Sequence, residues 1–199
     1  MSQTIPYTVE ARPDTGLNNG QIGMWLFLAS EVMLFGSLFA GYIILRVGSE
    51  VWPHGSEFGL SIPLASINTL VLLSSSVTSV MARTSLVRKD VGKFRFYLLL
   101  TVLGGLLFCG IKTFEYWDKF HHGHVPSTHN FLAIYFTLTG LHTLHVVVGV
   151  AVNSYLLGPG FKLWGKNPQQ FIHRVEASGL YWHFVDLVWI LLFLTLYLL

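Results

Sequence analysis

The sequence predicts an all-α integral membrane bundle of five transmembrane helices, and three observations carry that prediction. Hydrophobic residues are 52% of the 199 and charged residues 11%, with a mean hydropathy of +0.56; a soluble domain is about a quarter charged. Five apolar stretches reach the roughly 20 residues that cross a hydrocarbon core as helix. The lysines and arginines, finally, fall mostly on one side of those stretches.

The elements follow in chain order. Residues 1–21 are polar, carry Pro6, Pro13, Gly16 and an Asn18-Asn19-Gly20 turn, and read as a short tail without a cleavable signal. The membrane domain, 22–199, contains helices near 22–46, 62–83, 94–116, 131–157 and 175–199. Trp52-Pro53-His54-Gly55, Gly158-Pro159-Gly160 and Asn167-Pro168 punctuate the connections, none of which is long enough for a soluble domain. Small residues at Gly36, Ser37, Ala40 and Gly41, at Ser74, Ser75, Ser76 and Ser79, and at Gly104, Gly105 and Gly110 are expected where helices touch. The single cysteine, Cys109, excludes an internal disulfide and reads as a small buried residue. No internal repeat supports an inverted-repeat transporter.

Arg83, Arg88, Lys89, Lys93 and Arg95 lie between the second and third helices, Lys162, Lys166 and Arg174 between the fourth and fifth, and Arg12 in the tail. Only Arg46, Lys112 and Lys119 fall on the other side. By the positive-inside rule the N-terminus is cytoplasmic and the C-terminus outside. Trp52, Tyr116 and Trp117 then fit the outer aromatic belt and Trp164 the inner one.

Ionisable residues inside the membrane mark function by default. At a rise of about 1.5 Å per residue, Glu31, His183 and Asp186 lie roughly 13, 12 and 16 Å from the inner edge, and His142 and His145 roughly 16 and 21 Å from the outer one. These five could share one buried polar layer. Three readings stand: a hydrogen-bonded structural network helped by Asn68, Thr69, Thr137, Thr139 and Asn153; a proton or lipid-headgroup site on Glu31; and a metal or haem site. The outer histidines His121, His122, His124 and His129 resemble a metal cluster only in composition and read as a wet loop. Lys112 and Glu115, one turn apart at an outer helix end, read as a surface ion pair, and Glu176 as a polar group near a helix end.

Four segments in order resemble one family. Leu28-Ala29-Ser30-Glu31-Val32-Met33-Leu34-Phe35, Phe114-Glu115-Tyr116, Thr139-Gly140-Leu141-His142-Thr143-Leu144-His145-Val146, and Glu176-Ala177 with the run Tyr181 to Trp189 are similar to subunit III of haem-copper respiratory oxidases. The likeness covers essentially the whole membrane part. Lys112 stands where that family commonly has glutamine, and Thr143 where it has glycine. The longer mitochondrial-type members have two more N-terminal helices and a lipid-filled cleft, both expected to be absent here, which points to a bacterial protein of the plasma (inner) membrane.

The resemblance implies a chain that binds no haem, copper or other metal of its own, those centres lying in partner subunits. It implies packing on oxidase subunit I, with subunit II, a small subunit IV and a respiratory supercomplex as further partners, and no nucleic acid. Phospholipid binding and support of proton uptake and enzyme stability are implied as well, with Glu31 matching the family's buried, carbodiimide-reactive carboxylate. The complex reduces oxygen to water and pumps protons, most simply with cytochrome c as donor. A quinol oxidase or a nitric-oxide-reductase-associated complex is the near alternative. A di-iron desaturase or hydroxylase, suggested by nine histidines, is geometrically implausible because the histidines are spread over both sides and the middle of the membrane. A small proton-coupled transporter using Glu31 and Asp186 is the distant alternative.

Overall fold

A computed structural model of the chain describes residues 16–53 and 55–199. Among them the regular structure is helical, with five helices long and apolar enough to span a membrane: α1 (Asn19–Val47), α2 (Ile62–Val87), α3 (Val91–His121), α4 (Asn130–Leu157) and α5 (Pro168–Phe193). A π-helical turn, Leu194–Leu198, prolongs α5. Tail residues 1–15, with Pro6, Arg12 and Pro13, and His54 in the first connection lie outside the described residues.

Each helix begins on a side chain that satisfies its free amides, which hydrocarbon would not. Asn18 and Gln21 form a reciprocal capping box at 2.9 and 3.1 Å. Ser61, Asp90, His129 and Asn167 cap the other four. Asp90 also pairs with the Lys93 ammonium at 3.0 Å, and that residue's amide and ammonium hold its carboxyl below the usual carboxylate range. Pro63 and Pro168 sit in the first turns of α2 and α5, where a missing N–H costs nothing.

α2, α3, α4 and α5 close into a ring, α2 on α3, α3 on α4, α4 on α5 and α5 back on α2. α1 lies outside it, parallel to α5 and in the groove between α5 and α4. Its most apolar window is only 17% buried, against 44% for α5. At the far end of α1, Tyr42 donates to the Thr195 carbonyl at 2.8 Å and Arg46 to that of Leu199 at 3.0 Å, fastening it where α5 becomes the π turn.

The centre of the ring is Trp182, fully buried, whose indole N–H donates to Ser75 Oγ at 3.0 Å. A Cβ at Gly105 would stand 2.7 Å from that ring, and so would one at Gly149. Gly104 is equally tight against Ser75, at 2.7 Å. By contrast Gly36, Gly41 and Gly110 face open space, so those expected contacts do not form. For the first two the reason is rotational: α1 sits at the edge and turns Gly36 and Gly41 away from its neighbours. Trp52 folds over the core against Tyr42 and Phe131, at 5.7 and 5.9 Å. Trp164 packs on Phe171 in a second aromatic cluster at the other end of the ring.

Gly149→Ala is expected to lower stability by about 1–3 kcal/mol through overpacking against Trp182. Gly36→Ala should change it little. Equal unfolding midpoints for the two variants in mixed micelles would contradict the close packing.

Candidate functional site

The buried positions of α3 recur at Phe94, Leu98, Thr101, Gly105, Phe108, Lys112, Glu115 and Lys119, alternating steps of four and three. That seam faces the ring, and its last three members are charged. Lys112 and Glu115 therefore form a buried ion pair, not the surface pair expected; their side chains are 1% and 8% exposed. α3 continues to His121, so the pair lies well inside the helix end.

Every polar atom of this pair is engaged. Lys112 Nζ donates to Glu115 Oε2 at 2.9 Å and to the Tyr197 hydroxyl at 2.6 Å. The hydroxyls of Tyr135 and Tyr197 donate to Glu115 Oε1 at 2.9 and 2.8 Å. The ammonium also lies 4.9 Å from the Trp189 ring centre. Two turns along, buried Lys119 donates to the Phe58 carbonyl at 2.9 Å and tethers the first connection. Sequence reading missed Tyr135, Tyr197 and the burial of Lys119; the four-three spacing of the α3 seam was the available signal.

The five groups expected to share one layer are not joined into one network. Glu31 and His145 meet, Oε2 to Nε2, at 3.0 Å, linking α1 to α4 near the membrane-facing edge. His145 Nδ1 lies 2.8 Å from the Leu141 carbonyl and must donate to it, so the proton between Nε2 and the carboxyl is shared by this pair alone. Both side chains are only slightly exposed, 13% and 14%.

His142, three residues earlier, is fully buried, its ring stacked on Trp189 and edged by Phe108, with neither nitrogen bonded among the described residues. His183 is exposed, and its Nδ1 meets Ser76 Oγ at 2.6 Å. Asp186 is buried, and neither carboxylate oxygen has a hydrogen-bond partner among the described residues. His183 and Asp186 are thus not partners. Nor does the expected helper network form around them: Asn68 leaves both amide atoms unbonded, Asn153 accepts from Ser178, Thr69 accepts from Trp189, and Thr139 meets Tyr116. Glu176 pairs with Arg83 of α2 at 2.6 Å.

Nothing in this arrangement suits a metal or haem. His142 is walled by rings, His145 is held by Glu31 and a carbonyl, and among the described residues no three His, Cys, Asp or Glu side chains gather. Of the outer histidines, His121 and His122 contact carbonyls of their own helix, His129 caps α4, and His124 lies on the Phe58 ring.

A family model described as cytochrome c oxidase subunit III matches residues 10–199. The chain belongs to the cytochrome c oxidase subunit III family. It is 33% identical to cytochrome c oxidase subunit 3 of Bacillus sp. (strain PS3), over 99% of this chain and 94% of that one. It is 35% identical to the subunit of the same name from Thermostichus vulcanus, over 89% and 86%. It is also 33% identical to the cytochrome bo(3) ubiquinol oxidase subunit 3 of Buchnera aphidicola subsp. Schizaphis graminum, over 93% and 96%. As a subunit III it is a multi-pass component of a haem-copper terminal oxidase, of the cytochrome c or the quinol type.

Lys112→Met leaves Glu115 charged and buried without its counter-ion, which should cost about 3–5 kcal/mol. The double variant Lys112→Met, Glu115→Leu should recover much of that loss in a reversible unfolding titration. A double variant no more stable than the single one would show that Lys112 does not neutralise Glu115.

Proposed function

We propose that this chain is the accessory, non-redox subunit III of a bacterial cytochrome c oxidase in the plasma membrane, N-terminus cytoplasmic and C-terminus outside. It packs on subunit I, with subunit II and a small subunit IV in the same complex, and holds phospholipid beside Glu31. In doing so it sustains proton uptake and stability of the oxidase. Oxygen reduction to water, proton pumping and the haem and copper centres belong to its partner subunits.

The observation that carries this reading is the Glu31–His145 pair. A carboxyl at the membrane-facing edge, sharing its proton with a single imidazole, can exchange that proton without disturbing the ring. A groove of about 370 Å³ between α1, α4 and α5 adds to it, lined by Met24, Phe27, Val152, Tyr155 and Tyr181 with Arg174 among them. Apolar walls beside one guanidinium suit an acyl chain and its phosphate. Residues 19–47 of α1, carrying Glu31, lie at the edge of the fold, with Leu28, Phe35 and Tyr42 buried against its core.

Quinol is the second reading for the donor, favoured by the match to a ubiquinol oxidase subunit at the same 33% identity as the Bacillus cytochrome c oxidase subunit. Purification through a tag on this chain, with an absorption spectrum and mass analysis, decides between them. A haem-bearing subunit together with a copper-binding subunit supports cytochrome c; lack of the dinuclear copper domain supports quinol. A colourless, solitary chain would remove the oxidase reading.

Glu31→Ala should leave the initial oxidase rate near that of the parent while shortening, several-fold, the number of turnovers before inactivation. It should also abolish carbodiimide labelling of this chain. Unaltered labelling and turnover life would deny Glu31 its role.

A further inference from the structure

We infer that the groove between α2 and α5 is the docking site for a transmembrane helix of a haem-bearing partner subunit, one that offers a hydrogen-bonding side chain to His183. This rests on the accessory-subunit reading above and names the surface through which that association is made.

Away from the helix ends, His183 is the one imidazole among the described residues that is exposed on the membrane-facing surface. Its Nδ1 is committed to Ser76 Oγ at 2.6 Å, and its Nε2 makes no hydrogen bond among the described residues. Exposed serine and threonine hydroxyls of the helices close on their own backbone: Ser30 on Phe27, Ser37 on Leu34, Ser66 on Ile62, Ser74 on Val71 and Thr137 on Ala133. They ask nothing of the membrane. Away from the helix ends, His183 alone among the described residues presents an unmatched imidazole nitrogen to it, and a polar atom facing hydrocarbon at that depth is costly.

The surroundings fit a helix. His183 stands at the side of an open groove of about 230 Å³ whose floor includes Ser79 and Gly179, where backbones lie close, and whose end is marked by the Arg83–Glu176 pair. Small and polar residues of this kind are what membrane helices use to approach one another. A lipid is the poorer occupant. His183 is roughly 12 Å inside the start of its apolar stretch at 1.5 Å per residue, below the headgroups, where acyl chains offer neither donor nor acceptor.

The test is photo-cross-linking in native membranes, with a photoreactive residue at Val80 on the groove rim and, as control, at Leu106 on α3; these residues are 48% and 52% exposed. The expected result is an adduct with the haem-bearing subunit from position 80 and not from position 106. If the haem-bearing subunit purifies with the chain but the adduct forms from position 106, or position 80 yields only lipid or a second copy of this chain, the docking site is wrong while the accessory role stands. If no haem-bearing subunit purifies, both fall together, as the spectrum shows before any cross-linking. In addition, His183→Leu should reduce the co-purifying subunit roughly tenfold at limiting concentration, the scale of one interhelical hydrogen bond, and His183→Gln should not. Equal recovery with both variants would overturn the role of His183.

Discussion

Four helices of this subunit are held at fixed rotations by one indole. Lipid tails are as apolar as leucine, so helices in a bilayer gain little from hiding apolar surface and must gain from close packing. Trp182 provides it, its ring pressed against Gly105 of α3 and Gly149 of α4 and its N–H on Ser75 of α2. With about 100° between successive residues, fixing Trp182 inward fixes the rest of α5 as well. Asp186, four residues on, and Trp189, seven on, fall on the same inward face. His183, the next residue, is turned out toward α2 and the membrane.

That rotation sorts the polar groups into two kinds. Lys112, Glu115, Tyr135 and Tyr197 are closed on themselves, each satisfying another, and such a cluster fixes helix register without needing anything from outside. Glu31 and His183 sit at the edge with capacity to spare. The first kind serves the fold, and the second is where lipid and protein neighbours can act.

Helix number and class were legible in the sequence because hydropathy and length suffice for them. So were the titratable residues worth watching. Their pairings were not. His142 and His145 share a helix and lie one turn apart, yet one faces Trp189 in the core and the other faces α1. A three-residue step separates directions by about 60°, enough at a crowded junction to send neighbours to different partners. The charged seam of α3 was legible in principle, since Lys112, Glu115 and Lys119 continue the spacing of Leu98, Gly105 and Phe108. Charge pointed to the surface while periodicity pointed inward, and periodicity prevailed. The helix glycines expected at contacts divide the same way: of Gly36, Gly41, Gly104, Gly105 and Gly110, only Gly104 and Gly105, which face Ser75 and the indole, are close-packed.

The placement of α1 bears on how the protein is made. α1 is made before the four other described helices and settles against α4 and α5. While more than a hundred further residues are synthesised, Glu31 resides in the bilayer without His145, and Tyr42 without the backbone that will accept its hydroxyl. Both side chains gain these partners only once α4 and α5 have followed.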